Sequence, residues 1–324
     1  MNIYEIAKLA NVSITTVSRV INNRDGVSKK TKEKIEKIIS ENNYTPNHIA
    51  QSLTGKNTKS IGIIVPTIDS YFKKSIKIID QIALENGFSL LLSTTIKNIK
   101  DKINFLIQKK VDAIIIFGLR FNSDEVKFIK QISKNTPIFS FGSDLTSYNI
   151  PSIVHNNVEA LTLAIDFLQS NNHNDILFFL AKPSTKNEIL LKNILSNYKS
   201  INKYDIIYSD FSIENAYIVT EKYFKNLKNL PSAIIAANDN MAIGIMKALN
   251  KLNISIPNDI SIIGYDNIEI SKYLSPSLTT IDVDLENAGK IAITTIFKML
   301  DKKEYTLINY LKPNLIIRES VKKI

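Results

Sequence analysis

Apolar side chains recur every three or four positions in the first 22 residues, which is the spacing of one buried helical face. Two short helices are predicted there, separated by Asn11, a residue that tolerates the left-handed backbone of a sharp turn. Ser13 is suited to cap the second helix, because its hydroxyl can accept a hydrogen bond from an otherwise unpaired backbone N–H. The pattern therefore predicts a helix-turn-helix, whose second helix fits the major groove of DNA.

A third helix is predicted where Ile35, Ile38 and Ile39 recur at helical spacing among lysines, and it can close an all-α core over residues 1–43. Pro46 lies in the segment that interrupts this pattern, and residues 44–57 are predicted to form a hinge helix or linker. The helix itself is expected at Asn47 to Thr54, and about eight residues cannot sustain a helix alone, because helix nucleation is costly. The hinge is therefore expected to fold only on DNA and only in a dimer.

From Ser60 onward the pattern changes, and buried strands alternate with amphipathic helices. Strands such as SIGIIV and AIIIF are apolar throughout, which is typical of parallel strands covered on both faces. Because the alternation runs twice, residues 58–324 are predicted to form an α/β core of two lobes with doubly wound parallel sheets. The first lobe is expected at about 60–155 plus 285–312, and the second at about 156–284 plus 313–324. Strands are predicted near 60–66, 88–93, 113–117, 137–141, 153, 175–180, 204–209, 232–237, 260–264 and 314–318.

Several strings in the chain carry a family resemblance. In the N-terminal module they are IYEIAKLANVS, TVSRVIN, the Y-x-P-N at Tyr44 to Asn47, and the A-x-S-L at Ala50 to Leu53. In the second lobe they are AIIAANDNMAIGIMKALNKLNISIPNDISIIGYDN and LSPSLTTIDVDLENAGK. The chain resembles the LacI/GalR (lactose-repressor) family of transcriptional regulators. This resemblance implies a DNA-binding headpiece on a periplasmic-binding-protein-like core, and a repressor that binds a pseudo-palindromic operator as a homodimer.

The exposed face of the second helix is predicted to read DNA bases through Ile14, Thr15 and Arg19. Arg19 has the forked guanidinium that can contact guanine with two hydrogen bonds. The side chains expected to contact phosphates or flank the groove are Tyr4, Ser13, Thr16, Ser18 and Asn22. The resemblance adds hinge contacts with DNA from Asn47, His48, Ala50 and Leu53, with Leu53 wedged between base pairs.

A two-lobed core of this kind places a small effector between its lobes, beyond the carboxyl ends of the strands. The resemblance and the loop positions predict ligand contacts from Tyr71, Phe72, Asn156, Asn187, Asn238, Asp239 and Asp266. The aromatic pair could instead belong to the core, and Asp239 could instead be only an N-cap. The segment 186–198 lacks the Arg usual in the family, and the resulting amide-rich pocket favours a sugar or related polyol. A nucleobase or a phosphoprotein co-regulator is the alternative.

Charge and composition narrow the function classes further. The net charge is +10, and residues 1–60 carry ten Lys or Arg against five Asp or Glu, which suits a polyanionic partner. The chain has no cysteine, its three histidines lack metal spacing, and neither GxxxxGKS nor GxGxxG occurs. No metal, cofactor or catalytic residue is therefore expected. The absence of a long apolar run and of a signal peptide favours a cytoplasmic regulator over a membrane protein or a transporter's solute receptor.

Overall fold

The computed structural model describes residues 1–21, 25–42, 58–181, 185–201, 203–225 and 227–324, with the backbone alone for 185–187. The chain divides into two compact units, Met1–Thr58 and Lys59–Ile324. The described part of the smaller unit contains only helices, and the larger unit alternates strands with helices.

The smaller unit is built from short helices with well-defined ends. Asn2 and Glu5 form a capping box at the first helix, because the side chain of each accepts from the backbone N–H of the other at 3.0 and 2.9 Å. Asn11 ends this helix in the left-handed conformation, with a φ of 58°, as the sequence predicted. The helices are α1 (Ile3–Ala10), α2 (Ile14–Ile21) and α3 (Lys29–Glu41).

A small apolar core joins these three helices. Ile6 on α1, Val17 on α2 and Ile35 on α3 have no exposed surface. Lys34 on α3 donates to the carbonyl of Ala10 at 2.8 Å, which satisfies an acceptor at the end of α1 that the helix itself leaves unpaired. The predicted three-helix headpiece is confirmed.

The larger unit contains two sheets and the helices that cover them. Its strands are β1 (Ser60–Val65), β2 (Ser89–Thr94), β3 (Ala113–Phe117), β4 (Ile138–Phe141), β5 (Ser152–His155), β6 (Asp175–Leu180), β7 (Lys203–Tyr208), β8 (Ala233–Ala236), β9 (Ser261–Tyr265), β10 (Thr279–Asp282), β11 (Ile308–Leu311) and β12 (Asn314–Ile316). Its helices are α4 (Ser70–Glu85), α5 (Ile99–Gln108), α6 (Ser123–Ile132), α7 (Asn157–Ser170), α8 (Thr185–Leu195), α9 (Ile213–Phe224), α10 (Asp239–Lys251) and α11 (Leu285–Leu300), with short 3-10 helices at Thr146–Tyr148 and Glu269–Tyr273.

Each sheet forms the centre of one lobe. The first has the strand order β11-β5-β4-β3-β1-β2, and the second has the order β12-β10-β9-β8-β6-β7. The described pairings are parallel except that of β12 with β10. The chain returns to the first lobe through α11, where the Ser75 hydroxyl on α4 donates to the carbonyl of Leu285 at 2.6 Å. The predicted two-lobed, doubly wound architecture is confirmed.

Two short strands were not predicted from the sequence. β10 reads TTID and β11 reads INYL, and neither string shows the continuous apolar run of a buried parallel strand. β11 lies at the edge of its sheet, where it pairs with β5 and keeps Tyr310 mostly exposed. The strand structure of both therefore depends on pairing with neighbouring strands, because four residues without an apolar run carry too little local pattern.

Candidate nucleic-acid interface and ligand site

One face of α2 is exposed in the smaller unit. Thr15 and Arg19 are exposed, and 41% of the Ile14 surface is accessible. Val17 and Val20 point from the opposite face into the core. The three side chains predicted to read bases therefore lie on one surface, which we call the recognition face (Ile14, Thr15 and Arg19).

The amino-terminal end of α2 is capped as the sequence predicted. The Ser13 hydroxyl accepts from the backbone N–H of Thr16 at 3.1 Å, and the two hydroxyl oxygens lie 2.8 Å apart. Tyr4 on α1 is 67% exposed, and Ser18 is half-buried. The predicted DNA contacts at Asn22, Asn47, His48, Ala50 and Leu53 lie outside the described residues.

The Arg19 guanidinium lies against the turn that precedes α3. A Cβ atom added to Gly26 would lie 3.2 Å from the Nη1 atom of Arg19, and Gly26 has a φ of +95°. This glycine therefore serves two purposes, because it adopts a backbone conformation that other residues rarely reach and leaves room for the guanidinium. The turn supports the residue most suited to contact guanine.

In the larger unit, a polar and aromatic cluster joins the two lobes. The Tyr71 hydroxyl on α4 lies 2.7 Å from Nε2 of His155, at the end of β5. The His155 ring meets the Tyr265 ring at the end of β9 edge to face, with 6.3 Å between ring centroids. Asp266 follows Tyr265 directly. We call these four residues the interlobe cluster; they lie at the carboxyl ends of strands, where ligands of such folds bind.

Asp266 is a buried acid without a hydrogen bond to its carboxylate in the described part of the chain. Only 7% of its surface is accessible. Burial raises the pKa of Asp266 well above its ordinary value, and the nearby carboxylates of Asp239 and Asp69 raise it further, while Lys74 opposes them. Its φ is 104° and that of Asn267 is 48°, so two consecutive residues occupy a region that non-glycine residues seldom adopt. Strain of this kind persists where the surroundings hold the loop in place.

Asp239, the first residue of α10, is also buried, but both of its carboxylate oxygens accept hydrogen bonds. Its Oδ1 accepts from the Thr280 hydroxyl at 2.6 Å, and its Oδ2 accepts from the Ser271 hydroxyl at 2.6 Å and the Ile268 N–H at 2.9 Å. Burial raises the pKa of Asp239 to about 6, although these bonds favour the charged form. The alternative that Asp239 caps α10 is wrong, because Asn238 is the N-cap and accepts from the Met241 N–H at 2.8 Å.

Other residues predicted to contact the ligand make contacts within the protein instead. Asn156 caps α7 and donates to Glu159 at 2.7 Å. Phe72 is 5% exposed and packs against Phe117 with 5.6 Å between ring centroids, which favours the core alternative for this aromatic. Asn187 lies in α8, and its side chain is outside the description. Tyr71 and Asp266 are the two predicted ligand residues that meet in the interlobe cluster.

Two polar contacts join the lobes beside the cluster. Lys74 on α4 donates to the backbone carbonyl of Asn267 at 2.8 Å, and the neighbouring Lys73 pairs with Glu269 at 3.3 Å. Arg318, which follows β12 of the second lobe, donates to the side chain of the same Asn267 at 2.6 Å. The loop after β9 is therefore held by both lobes.

Neither His155 nor Tyr265 is among the ligand contacts predicted from the sequence. Each is the last residue of a strand, and they are 110 positions apart in the chain. Their strand-terminal position was a usable signal, because ligand sites in such folds collect at the carboxyl ends of strands. Local pattern alone gives no indication that the two rings face each other.

Two negative findings apply to the described residues. No group of three or more His, Asp or Glu side chains is placed to hold a metal ion. No helix in the same part of the chain combines the length and apolar character required to cross a bilayer.

Comparison with known protein families covers both units. Residues 2–47 match the family of bacterial regulatory proteins named for lacI, and residues 165–321 match a periplasmic binding protein-like domain. The first match contains α1 to α3, and the second contains Tyr265, Asp266 and the strands of the second lobe.

Individual relatives match along the full length. The chain is 32% identical over 333 residues to the HTH-type transcriptional repressor PurR of Histophilus somni, covering 99% of each protein. It is 31% identical over 331 residues to the ribose operon repressor of Haemophilus influenzae, covering 98% of this chain and 97% of that one. Its structure is similar to that of a lac repressor dimer bound to operator and an anti-inducer, with a TM-score of 0.86, 26% identity and 99% coverage of each chain. The chain belongs to the LacI family and is a DNA-binding transcriptional repressor rather than an enzyme.

Proposed function

We propose that this repressor binds a pseudo-palindromic operator as a homodimer in the cytoplasm, and that an uncharged small effector held by the interlobe cluster controls its affinity for DNA. The observation that carries the effector proposal is Asp266, a buried carboxyl group that accepts no hydrogen bond from the described residues and lies beside Tyr71 of the other lobe. We retain the division into a DNA-reading domain at 1–43, a hinge at 44–57 and an effector core at 58–324.

The DNA-binding proposal rests on the recognition face. Ile14 and Thr15 offer apolar and hydroxyl contacts to a thymine methyl group or a base edge, and Arg19 offers a bidentate contact with guanine. Around this face, phosphate contacts are proposed for Tyr4, Ser13, Thr16, Ser18 and Asn22. The hinge contacts proposed for Asn47, His48, Ala50 and Leu53 would enter the minor groove at the operator centre.

A surface of the first lobe supports the homodimer. A groove of about 640 Å³ runs between α4 and the edge strand β2. It is lined mainly by apolar surface, and Ile68 and Leu92 at its sides are 70% and 45% exposed. An apolar strand edge of this kind requires a cover in solution. A second copy of the chain is the cover that fits a repressor with one recognition helix per half-site.

The effector proposal favours a neutral sugar or polyol, with a nucleobase as the alternative. Three carboxylates, those of Asp69, Asp239 and Asp266, lie near the cluster, while Lys74 is engaged by Asn267. This balance disfavours an anionic ligand. The relatives are consistent with either alternative, because one is named PurR and the other is a ribose operon repressor.

The DNA-binding proposal is tested by selecting binding sites from random duplex DNA and measuring affinity by fluorescence anisotropy. Arg19→Ala should cost about 1–3 kcal/mol on the selected site and much less on random DNA, because a lost base contact removes discrimination. Arg120→Ala, an exposed arginine of the larger unit, is the matched control. Equal losses on both DNAs would reduce Arg19 to a phosphate contact.

The effector proposal is tested by adding neutral sugars, polyols and nucleobases to the protein on its selected operator. A true effector should change operator affinity by about 5- to 150-fold, the range of a coupling free energy of roughly 1–3 kcal/mol. A fall in affinity identifies an inducer, and a rise identifies a corepressor. Binding of an acidic protein partner with no response to small molecules would instead support the phosphoprotein alternative.

A further inference from the structure

Two buried polar atoms in the interlobe cluster are without a hydrogen-bond partner in the described structure. They are Nδ1 of His155 and the hydroxyl of Tyr265. Native proteins pair nearly all such atoms, because an unmade hydrogen bond in the interior leaves the full cost of desolvation. Two of them side by side in one cluster, next to the unpaired carboxylate of Asp266, require an explanation.

The two atoms are contributed by different lobes. His155 ends β5 of the first sheet, and Tyr265 ends β9 of the second. The other ring nitrogen of His155 is already engaged, since Nε2 lies 2.7 Å from the Tyr71 hydroxyl. Tyr71 therefore fixes the orientation of the imidazole and leaves Nδ1 to face another partner.

We infer that Nδ1 of His155 and the hydroxyl of Tyr265 hydrogen-bond the effector and determine its specificity. This inference rests on the proposed function, since it names further residues of the same ligand site. It assigns one contact to each lobe, so that a ligand bridging both completes the hydrogen bonds that the protein leaves unmade.

The chemistry of these groups defines the ligand class. Burial lowers the pKa of His155 to about 4 and raises that of Tyr265 above its ordinary value, so both are uncharged near neutral pH. The imidazole offers one donor or one acceptor at Nδ1, and the phenol offers both. With the Asp266 carboxyl beside them, the site fits an uncharged ring that carries both donors and acceptors. Neutral sugars and free nucleobases share this chemistry, whereas their phosphates add charge that the site does not balance.

The experiment measures binding to the full chain by thermal shift and calorimetry. The probes are neutral pentoses, hexoses and nucleobases, each compared with its phosphate or nucleotide. We expect a neutral probe to bind more tightly than its phosphorylated counterpart. Comparing the sugars with the nucleobases then identifies which of the two classes the site binds. A wild-type chain that binds none of the neutral probes, or prefers the phosphorylated ones, overturns the inference.

Two pairs of variants test the residues themselves. Tyr265→Phe removes only the unpaired hydroxyl, and it should weaken binding of the neutral probe about five- to thirtyfold without lowering the ligand-free melting temperature. Tyr198→Phe, which removes a hydroxyl bonded to Asp166 elsewhere in the second lobe, is the matched control and should leave probe binding unchanged.

Two variants of His155 test its two ring nitrogens separately. His155→Gln retains a group near Nε2 for the Tyr71 contact but loses the one at Nδ1, whereas His155→Asn retains a group near Nδ1. Probe affinity should fall about five- to thirtyfold in the Gln variant and less in the Asn variant. His173→Gln, a buried histidine bonded to Lys322, is the control.

Wild-type probe affinity in both Tyr265→Phe and His155→Gln would overturn the inference. Operator affinity, measured in parallel, separates this failure from failure of the proposed function. A wild-type chain that binds operator and responds to a probe, with variants that bind the probe normally, refutes only the assignment of these two residues. A chain whose operator affinity no small molecule changes refutes the proposed effector control.

Discussion

The loops after β8 and β9 each carry a buried aspartate, and the two loops use it differently. Asp239, after β8, accepts three hydrogen bonds from its own lobe. Asp266, after β9, accepts none from the described residues. The two residues are similarly buried, since 7% of the Asp266 surface and 0% of the Asp239 surface are accessible. The two strands are neighbours in the same sheet, so position in the fold does not explain the difference.

The comparison teaches that burial alone does not separate a structural acid from a ligand-binding one. A buried carboxylate is stable where hydrogen bonds replace its lost hydration, as they do at Asp239. At Asp266 that replacement is missing, and the backbone is strained at this residue and the next. The proposal assigns Asp266, an acid of the second kind, to ligand binding, whereas Asp239, an acid of the first kind, bonds to residues of its own lobe.

The largest expected effect is the loss of Asp239. Asp239→Ala leaves the Ser271 and Thr280 hydroxyls and the Ile268 N–H unpaired inside the second lobe, and it should lower the free energy of unfolding by about 3 kcal/mol or more. Denaturant unfolding followed by circular dichroism measures this change. Asp266→Ala is the matched substitution and should cost much less. If the two variants were equally destabilised, the distinction between the loops would be wrong.

The second largest effect is expected in how the free energy of unfolding depends on pH, because Asp239 titrates at a different pH in the folded protein. The pKa of Asp239 in the folded protein, about 6, exceeds its ordinary value of 3.8. The resulting stabilisation is fully present below pH 3.8 and is lost as the pH rises through 6. The free energy of unfolding of the wild type, relative to that of Asp239→Asn, should therefore increase by about 2 kcal/mol between pH 7 and pH 4. Urea titrations of both proteins at a series of pH values test this, and a constant difference between them would contradict it.

Asp266→Asn probes the unpaired carboxylate while preserving its shape. Effector affinity should fall by about two- to tenfold, because the amide replaces one carboxyl oxygen and a net hydrogen bond is worth roughly 0.5–1.5 kcal/mol. The free energy of unfolding should not fall, since no hydrogen bond in the described structure is lost and the amide carries no charge to bury. Calorimetry with the effector and denaturant unfolding without it measure the two quantities. Ligand-free operator affinity should stay near that of the wild type, and its loss in a folded variant would contradict the assigned role.

The smallest expected effect is at Ser271, which supplies one of three hydrogen bonds to Asp239. Ser271→Ala should cost about 1 kcal/mol, because the same carboxylate oxygen keeps its bond from the Ile268 N–H. A double-mutant cycle with Asp239→Asn checks whether the loss is a property of the pair. Additive effects in the cycle would show that Ser271 stabilises the lobe by another route.

The sequence by itself determined the headpiece and the two-lobed core. Helical spacing, the Asn11 turn and the Ser13 cap are local features, so they were readable from the residues that form them. The alternation of apolar strands with amphipathic helices likewise predicted two parallel-sheet lobes. Loop positions and the family resemblance predicted Tyr71 and Asp266 as ligand residues, and the structure brings both into the interlobe cluster.

Tertiary structure decided which polar groups are paired. The bonds of Asp239 come from residues 29 to 41 positions away, and His155 meets Tyr265 across 110 positions. Short-range pattern carries no information about such contacts, because side-chain periodicity reports only which face of an element is apolar. The edge strand β11 was missed for a related reason, since its pairing with β5 compensates for its weak local preference. Hydrogen-bond satisfaction, which separates Asp239 from Asp266, exists only once the fold has brought the partners together.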